Sequence, residues 1–364
     1  MHLSPSVLPA AALAWAACAS SHELSQDQLP LEDAAASKAP SYRADLLSLH
    51  KSMIEISSTS GREADIGNFL GQYFFDKGWM STIEFVPPRE NTPEDEQRMN
   101  VIAWPDSDDS PDPKVLLTSH IDAVPPFIPY SIDEGEVTKD TMIRGRGSVD
   151  AKGSVAAMVV ALDELLKAGK VSNKDVMLAF VVGEEVSGDG MRWFSDGLDR
   201  LKHKPHFDAV IFGEPTENKL ACGHKGALVC ELAAHGVGGH SGYPELGKSA
   251  NELVVRAMSK MFDTDLGSSE EFGNTTVNLG RLDGGVAANV IPERANASLM
   301  VRVALGPQET GAEIVKKRMQ KIIDDVDAEA FDFECSQGYG FIEANCDVKG
   351  AHDLRTTSCH FQLT

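Results

Sequence analysis

The chain has 364 residues, 42% of them hydrophobic, room for one large domain or two ordinary ones with ample core. Its formal charge of −22, from 55 Asp and Glu against 33 Lys and Arg, argues against nucleic acid and anionic membrane surfaces as partners. Beyond the N-terminus no stretch approaches the roughly 18–20 uninterrupted apolar residues of an internal membrane span.

Val7 to Ala19 is an apolar run that ends in the small-residue sequence Ala17-Cys18-Ala19 and then turns polar. This predicts a secretory signal peptide over 1–19, a mobile leader over 20–40 and an extracellular protein. Six cysteines are too few for a disulfide-built fold, and an odd number remains if Cys18 leaves with the signal. Asn274-Thr275-Thr276 and Asn296-Ala297-Ser298 are glycosylation sequons, usable on a secreted chain if they lie on its surface.

Apolar periodicity predicts helices over 42–56 and 66–77, then strands over 80–86 and 100–103 separated by a charged loop. A strand at 115–119, a helix at 154–167, strands at 176–182 and 208–212 and a helix near 191–201 follow. Alternating helices and continuous apolar strands imply a sheet buried on both faces, an α/β/α sandwich with its active groups at strand ends. After Gly226 the order becomes β-α-β-β-α, which predicts an inserted α+β, ferredoxin-like domain over 226–330. The first part of the main domain is then 41–225, and the chain is expected to return to it from 331.

His120 and Asp122 stand two residues apart at a strand end, so both side chains point to one face. Asp150 sits where a Gly-rich turn meets a helix, Glu184-Glu185 follow one apolar strand, and Glu214 follows another. Each feature alone has a bland explanation, but their recurrence at the ends of successive apolar strands points to one site. Imidazole and carboxylate donors without thiolates suit zinc or a similar divalent ion. A carboxylate can bridge two metals with a shared water between them, and Asp150 is the candidate bridge. Asp122 is expected to orient the His120 ring through its other nitrogen. Glu184 and Glu185 diverge at their strand end, so one can bind metal while Glu184 serves as general base.

Ser119-His120-Ile121-Asp122-Ala123-Val124-Pro125, Gly145-Arg146-Gly147-Ser148-Val149-Asp150-Ala151-Lys152-Gly153, Gly183-Glu184-Glu185 and Gly213-Glu214-Pro215-Thr216 together resemble the successive blocks of the M20 metallopeptidases. That family includes glutamate carboxypeptidases, acetylornithine deacetylase and aminoacylases. The resemblance implies a zinc-exopeptidase-like fold with a lid or dimerisation domain and two Zn2+ ions. His120 and Glu214 would bind one ion and Glu185 the other, with Asp150 bridging, Glu184 as base and a cis Asp150–Ala151 bond. Gly239-His240-Ser241-Gly242 resembles the block whose histidine stabilises the oxyanion, often across a dimer. Asn289 and Arg302 resemble substrate-binding positions, with Arg302 clamping a carboxylate.

The family's last ligand for the second metal ion, a histidine in a Gly-rich C-terminal block, has no counterpart in this sequence, so that second site is expected to be incomplete. From Ala351 the chain is atypical, and nothing around His352 or His360 matches that block. The chain reads as truncated, so poor activity or stability is expected of it. The function expected of its class is zinc-dependent exopeptidase cleavage of an amide next to a free carboxylate in peptides. N-acyl-amino-acid deacylation and a degenerate, non-catalytic binder are the alternatives. Expected partners are a peptide or N-acyl amino acid and a second copy of the chain, docked through 226–330.

Overall fold

The computed structural model describes residues 39–89, 92–106, 113–198, 205–216 and 219–344. The expected signal peptide, nearly all of the leader, and the atypical tail with His352 and His360 lie outside the described residues. The described chain forms two compact units that divide between Leu220 and Ala221.

The first unit opens with α1 (Arg43–Glu55) and α2 (Ala64–Asp76), each amphipathic. α2 buries Ile66, Leu70 and Phe74 at four-residue spacing, one stripe of a helix, and each such side chain contributes about 1.5–3 kcal/mol. Five strands follow: β1 (Met80–Phe85), β2 (Met99–Trp104), β3 (Val115–His120), β4 (Val176–Val181) and β5 (Ala209–Phe212). Their spatial order is β1-β2-β4-β3-β5. β3 runs parallel to β4 and β5, whereas β1 and β2 are antiparallel additions. α3 (Lys152–Lys167) precedes β4, and α4 (Asp189–Leu198) follows it.

Every residue of β2 and β4 is buried, as expected of strands covered on both faces. Val101, Leu178 and Phe180 join the core beneath α1, α2 and α3, while Ile102, Met177 and Ala179 pack with Phe194 of α4 on the other face. The sandwich therefore has three layers. β5 is the edge strand among the described residues, and its Val210, Ile211 and Phe212 are exposed. Among the described residues no helix is long and apolar enough to cross a membrane.

The second unit contains β6 (Gly226–His235), α5 (Ala250–Asp263), β7 (Thr276–Gly284), β8 (Arg294–Val303), α6 (Gly311–Asp327) and β9 (Phe331–Gly338). The sheet is antiparallel throughout, in the order β7-β8-β6-β9. Its inner face, with Leu228, Leu232, Leu299 and Val301, packs on Val254, Met258, Val315 and Met319 of the two helices. This is the predicted ferredoxin-like arrangement, but its boundaries differ from the sequence expectation. Residues 331–338 do not return to the first unit; they supply the fourth strand and pair with β6 from Phe331↔Ala234 to Gly338↔Leu228. Gly223–His224 pairs with Ile342–Glu343, which moves the start of the unit from 226 to 221. The reason is physical: without β9, one side of β6 would be an unpaired edge.

A disulfide between Cys230 and Cys335 joins β6 to β9 across a sequence separation of 105. Cysteine spacing alone left this pairing open. Closing a loop of that length stabilises the fold by about 4–5 kcal/mol in the chain-entropy view. The double substitution Cys230→Ser, Cys335→Ser is expected to lower the Tm of this unit, measured by calorimetry, far more than either sequon substitution, Asn274→Gln or Asn296→Gln. Asn274 and Asn296 are both exposed.

Candidate metal centre

The site begins with a strand whose apolar residues are fixed by the sheet and whose last residue is polar. β3 ends at His120, 1% exposed, and the chain then turns through Asp122, which is fully buried. His120 Nδ1 lies 3.0 Å from the Asp122 carbonyl oxygen and 3.5 Å from its Oδ1. A proton on Nδ1 directed at these oxygens leaves the Nε2 lone pair facing the site, free to ligate a metal.

Nε2 lies 2.9 Å from Asp150 Oδ1 and 3.9 Å from both Glu184 Oε2 and Glu214 Oε2. His120, Asp150 and Glu185 each present a ligand atom within 4.8 Å of the others. Asp150 enters from the turn before α3, and its bond to Ala151 is cis. Gly145 and Gly147 in that turn have φ of 150° and 84°, and a Cβ on Gly147 would crowd the Lys152 side chain. Lys152 is buried and donates to the Met53 and Ile56 carbonyls at the end of α1, which anchors the turn from behind.

Glu184 and Glu185 occupy a turn after β4. Their backbone N–H groups donate to Asp122 Oδ1 at 3.0 Å and Oδ2 at 3.3 Å. Ser60 Oγ donates to the same Oδ2 at 2.7 Å. Asp122 thus orients the His120 ring and also holds the turn that carries two acidic residues. Glu214 follows β5, where Gly213 N–H donates to the Thr118 carbonyl and Ser119 Oγ donates to the Gly213 carbonyl. Gly183 has φ 73°, and a Cβ there would overlap Asp189 and Arg98. Gly183→Ala is expected to destabilise the protein by more than about 1 kcal/mol and to weaken zinc retention, read from denaturant melts with and without zinc.

Crowded carboxylates in a half-buried site resist ionisation together. Burial, then the charge of Asp150, pushes Glu185 up to about 7. Burial pushes Glu214 up to about 8; His120 opposes this, and Glu184 and Asp150 add to it. Burial disfavours the charged His120, but Asp122 and Asp150 outweigh it and raise its pKa well above the ordinary value. Burial likewise opposes ionisation of Asp122, yet His120, Ser60 and the Glu184 N–H hold its pKa below the usual range. Such a nest holds protons where a dication would sit, and its imidazole and carboxylate donors fit a divalent transition ion.

A pH dependence follows. Glu185 and Glu214 have raised folded-state values, so they stabilise the metal-free fold most below the ordinary carboxylate range. That contribution is lost as pH rises through about 7 and about 8. The raised pKa of His120 acts in the same direction. The Tm of metal-free protein is therefore expected to fall from pH 5 to 8.5, and zinc is expected to bind more tightly over the same interval, with proton release.

The other predicted residues lie in the second unit. His240 and Asn289 are exposed neighbours: His240 pairs with Val290, and Ser241 N–H donates to the Asn289 carbonyl at 3.0 Å. Gly242 N–H donates to His240 Nδ1 at 3.0 Å, which fixes the ring. Arg302 is not brought to them. It stands far along β8 from Arg294, on the order of 25 Å from the end where His240 and Asn289 lie. One copy of this unit cannot present all three to a single small substrate. The sequence reading missed Ser60, Lys152 and Asn100. Asn100 accepts from Val182 N–H and donates to the Gly190 carbonyl, so it grips both ends of the acidic turn. For Asn100, a polar residue between Met99 and the apolar run Val101–Trp104 was the available signal.

A three-layer sandwich with imidazole and carboxylate donors converging at its strand ends is the arrangement of a metal-dependent hydrolase. Comparison with known proteins identifies the group. A model of the peptidase dimerisation domain matches residues 222–330, and a model of peptidase family M28 matches residues 100–219. A Peptidase M20 domain-containing protein of Sordaria macrospora is 52% identical over 331 residues, 86% of this chain and 73% of that protein. A probable carboxypeptidase of Aspergillus terreus is 44% identical over 313 residues, 84% of this chain and 71% of that protein. The chain belongs to the M20 peptidase family; the M28 match is confined to the segment carrying β2 to β5.

Solved structures agree in fold. A tripeptidase from Staphylococcus aureus superposes with a TM-score of 0.62 at 21% identity, covering 84% of this chain and 78% of that one. An M20 family metallo-carboxypeptidase from Sulfolobus solfataricus gives 0.57 at 16% identity, covering 84% and 80%.

Proposed function

We propose that the protein is a secreted, zinc-dependent exopeptidase of carboxypeptidase type, cleaving the amide next to a free carboxylate in peptides. The observation that carries this reading is the convergence of His120, Asp150 and Glu185 within 4.8 Å, with Glu184 beside His120. The carboxypeptidase names of relatives such as that of Aspergillus terreus support the substrate class. A disulfide supports an oxidising compartment and hence secretion.

His120, Asp150, Glu185 and Glu214 would hold zinc, and of the two ions expected the second has an incomplete ligand set among these four residues. Zinc bound there would supply Lewis acidity and a water activated as a nucleophile at neutral pH. Glu184 would accept the proton of the attacking water on a carboxylate oxygen and return it to the leaving amine. Its side chain is 15% exposed, dry enough to strengthen the transfer and open enough to reach a substrate. Asp122 keeps the His120 ring and the Glu184 turn in register throughout. His240 presents an N–H suited to a developing oxyanion, and the half-buried Arg302 suits a substrate carboxylate. Their separation within one copy favours a homodimer in which the copies contribute different residues.

The test is a panel of free dipeptides, N-terminally blocked peptides and N-acetyl amino acids, each with and without a chelator. Chelator-sensitive release of C-terminal residues supports the proposal. Faster turnover of N-acetyl amino acids would reassign it to deacylation, and full activity in chelator would remove the metal from the account.

A further inference from the structure

We propose that Arg98 is a positioning residue for the metal centre: its guanidinium ties the turn bearing Glu184 and Glu185 to the loop bearing Ser60, and so holds both against Asp122. The role rests on the metal-site reading above. Arg98 precedes β2 and is 1% exposed, and the hydrogen bonds of its guanidinium go to Glu63, Asp189 and the Pro87 carbonyl, none of them assigned as a ligand or base.

Its five N–H donors all have acceptors. Nε donates to Glu63 Oε2 at 3.1 Å and Nη2 to Glu63 Oε1 at 3.3 Å. On the other side Nη1 donates to Asp189 Oδ2 at 2.6 Å and Nη2 to Asp189 Oδ1 at 3.3 Å. Nη1 also donates to the Pro87 carbonyl at 3.2 Å. The fork therefore grips one carboxylate with each edge.

Each carboxylate closes a turn that ends on Asp122. Glu63 accepts from Gly61 N–H at 2.8 Å, which folds the loop so that Ser60 Oγ reaches Asp122. Asp189 starts α4, directly after the acidic turn, whose Ser187 and Gly188 N–H groups donate back to the Gly183 carbonyl. Gly183 lies against both Asp189 and Arg98, with no room for a Cβ. The guanidinium is thus a rear clamp on the two elements that hydrogen-bond Asp122 from the front. Lysine keeps the charge but offers a point donor, so it cannot bridge two carboxylates in this way.

A purely structural ion triad would affect melting alone, whereas a clamp would also change the metal environment. The test compares Asp189→Asn, Arg98→Lys and Arg98→Met in the full chain loaded with Co2+. Thermal unfolding, the Co2+ absorption spectrum, Co2+ affinity by chelator competition, and kcat and KM on a dipeptide are measured. Folded Asp189→Asn and Arg98→Lys proteins are expected to show an altered Co2+ spectrum, Co2+ affinity lowered about 10-fold or more, and kcat lowered at least about 10-fold with KM within about twofold. If Arg98→Met does not fold, Asp189→Asn carries the test, because the Asp189 side chain is 25% exposed and Asn can still begin the helix. Folded variants with a wild-type spectrum, affinity and kcat and only a lower Tm overturn the proposal, as does a change in KM alone. Should the wild type cleave no peptide while the Co2+ spectrum still responds, the peptidase reading falls and the clamp stands.

Discussion

Replacing Glu184 by Gln is expected to lower kcat by about 10²–10⁴ while leaving KM and metal content close to wild type. In transition-state terms this is a loss of about 3–5 kcal/mol. Glu184 lies 3.9 Å from His120 Nε2 but is not among the three residues whose ligand atoms come within 4.8 Å of one another. Glu214 stands at the same distance and outside the same set, so the substitution is what separates a base from a ligand at position 184. Gln keeps the size and the backbone N–H that binds Asp122, and it removes only the ability to take a proton. Metal analysis and steady-state kinetics on the same preparation check the result. Loss of metal from the Glu184→Gln protein would recast Glu184 as a ligand.

His120→Ala is expected to remove most of the gain in stability that zinc gives the wild type. With zinc at 100 times its Kd, binding only to the folded state adds about 2.7 kcal/mol; a 100-fold weaker site adds about 0.4 kcal/mol at the same zinc concentration. His120 supplies the only imidazole of the cluster, and the remaining donors are carboxylates that repel one another. The variant keeps a partnered Asp122, because Ser60 and the Glu184 and Glu185 N–H groups still donate to it. The fold should survive, and the lost zinc response can be read from denaturant melts with and without zinc. An undiminished response would place the metal elsewhere.

Much of this site was legible in sequence because its residues sit at the ends of apolar strands. β3, β4 and β5 announce themselves by composition, and the residues that follow them must emerge at the same end of a parallel sheet. His120, Asp122, Glu184, Glu185 and Glu214 therefore converge for a reason that a linear pattern contains. The residues that hold them were harder to see. Arg98, Glu63 and Asp189 are far apart in the chain, and each alone resembles an ordinary surface charge. Only burial of the Arg98 side chain reveals them as a unit.

The second unit failed to be bounded for a similar reason. Phe331–Gly338 alternates in burial like any half-covered strand, and nothing in it says which sheet it joins. The Cys230–Cys335 pairing settles that, and five candidate cysteines could not have named it. Arg302 shows the converse limit. A family position can be matched residue by residue while the distance along β8 separates it from His240 and Asn289 in the same copy.

The most direct measurement is an anomalous difference map at the zinc absorption edge from crystals grown with zinc. The account predicts density within coordination distance, about 2.0–2.2 Å, of His120 Nε2 and of the Asp150 and Glu185 carboxylates, lost in His120→Ala crystals. Zinc density elsewhere, with none among these three residues, would contradict it.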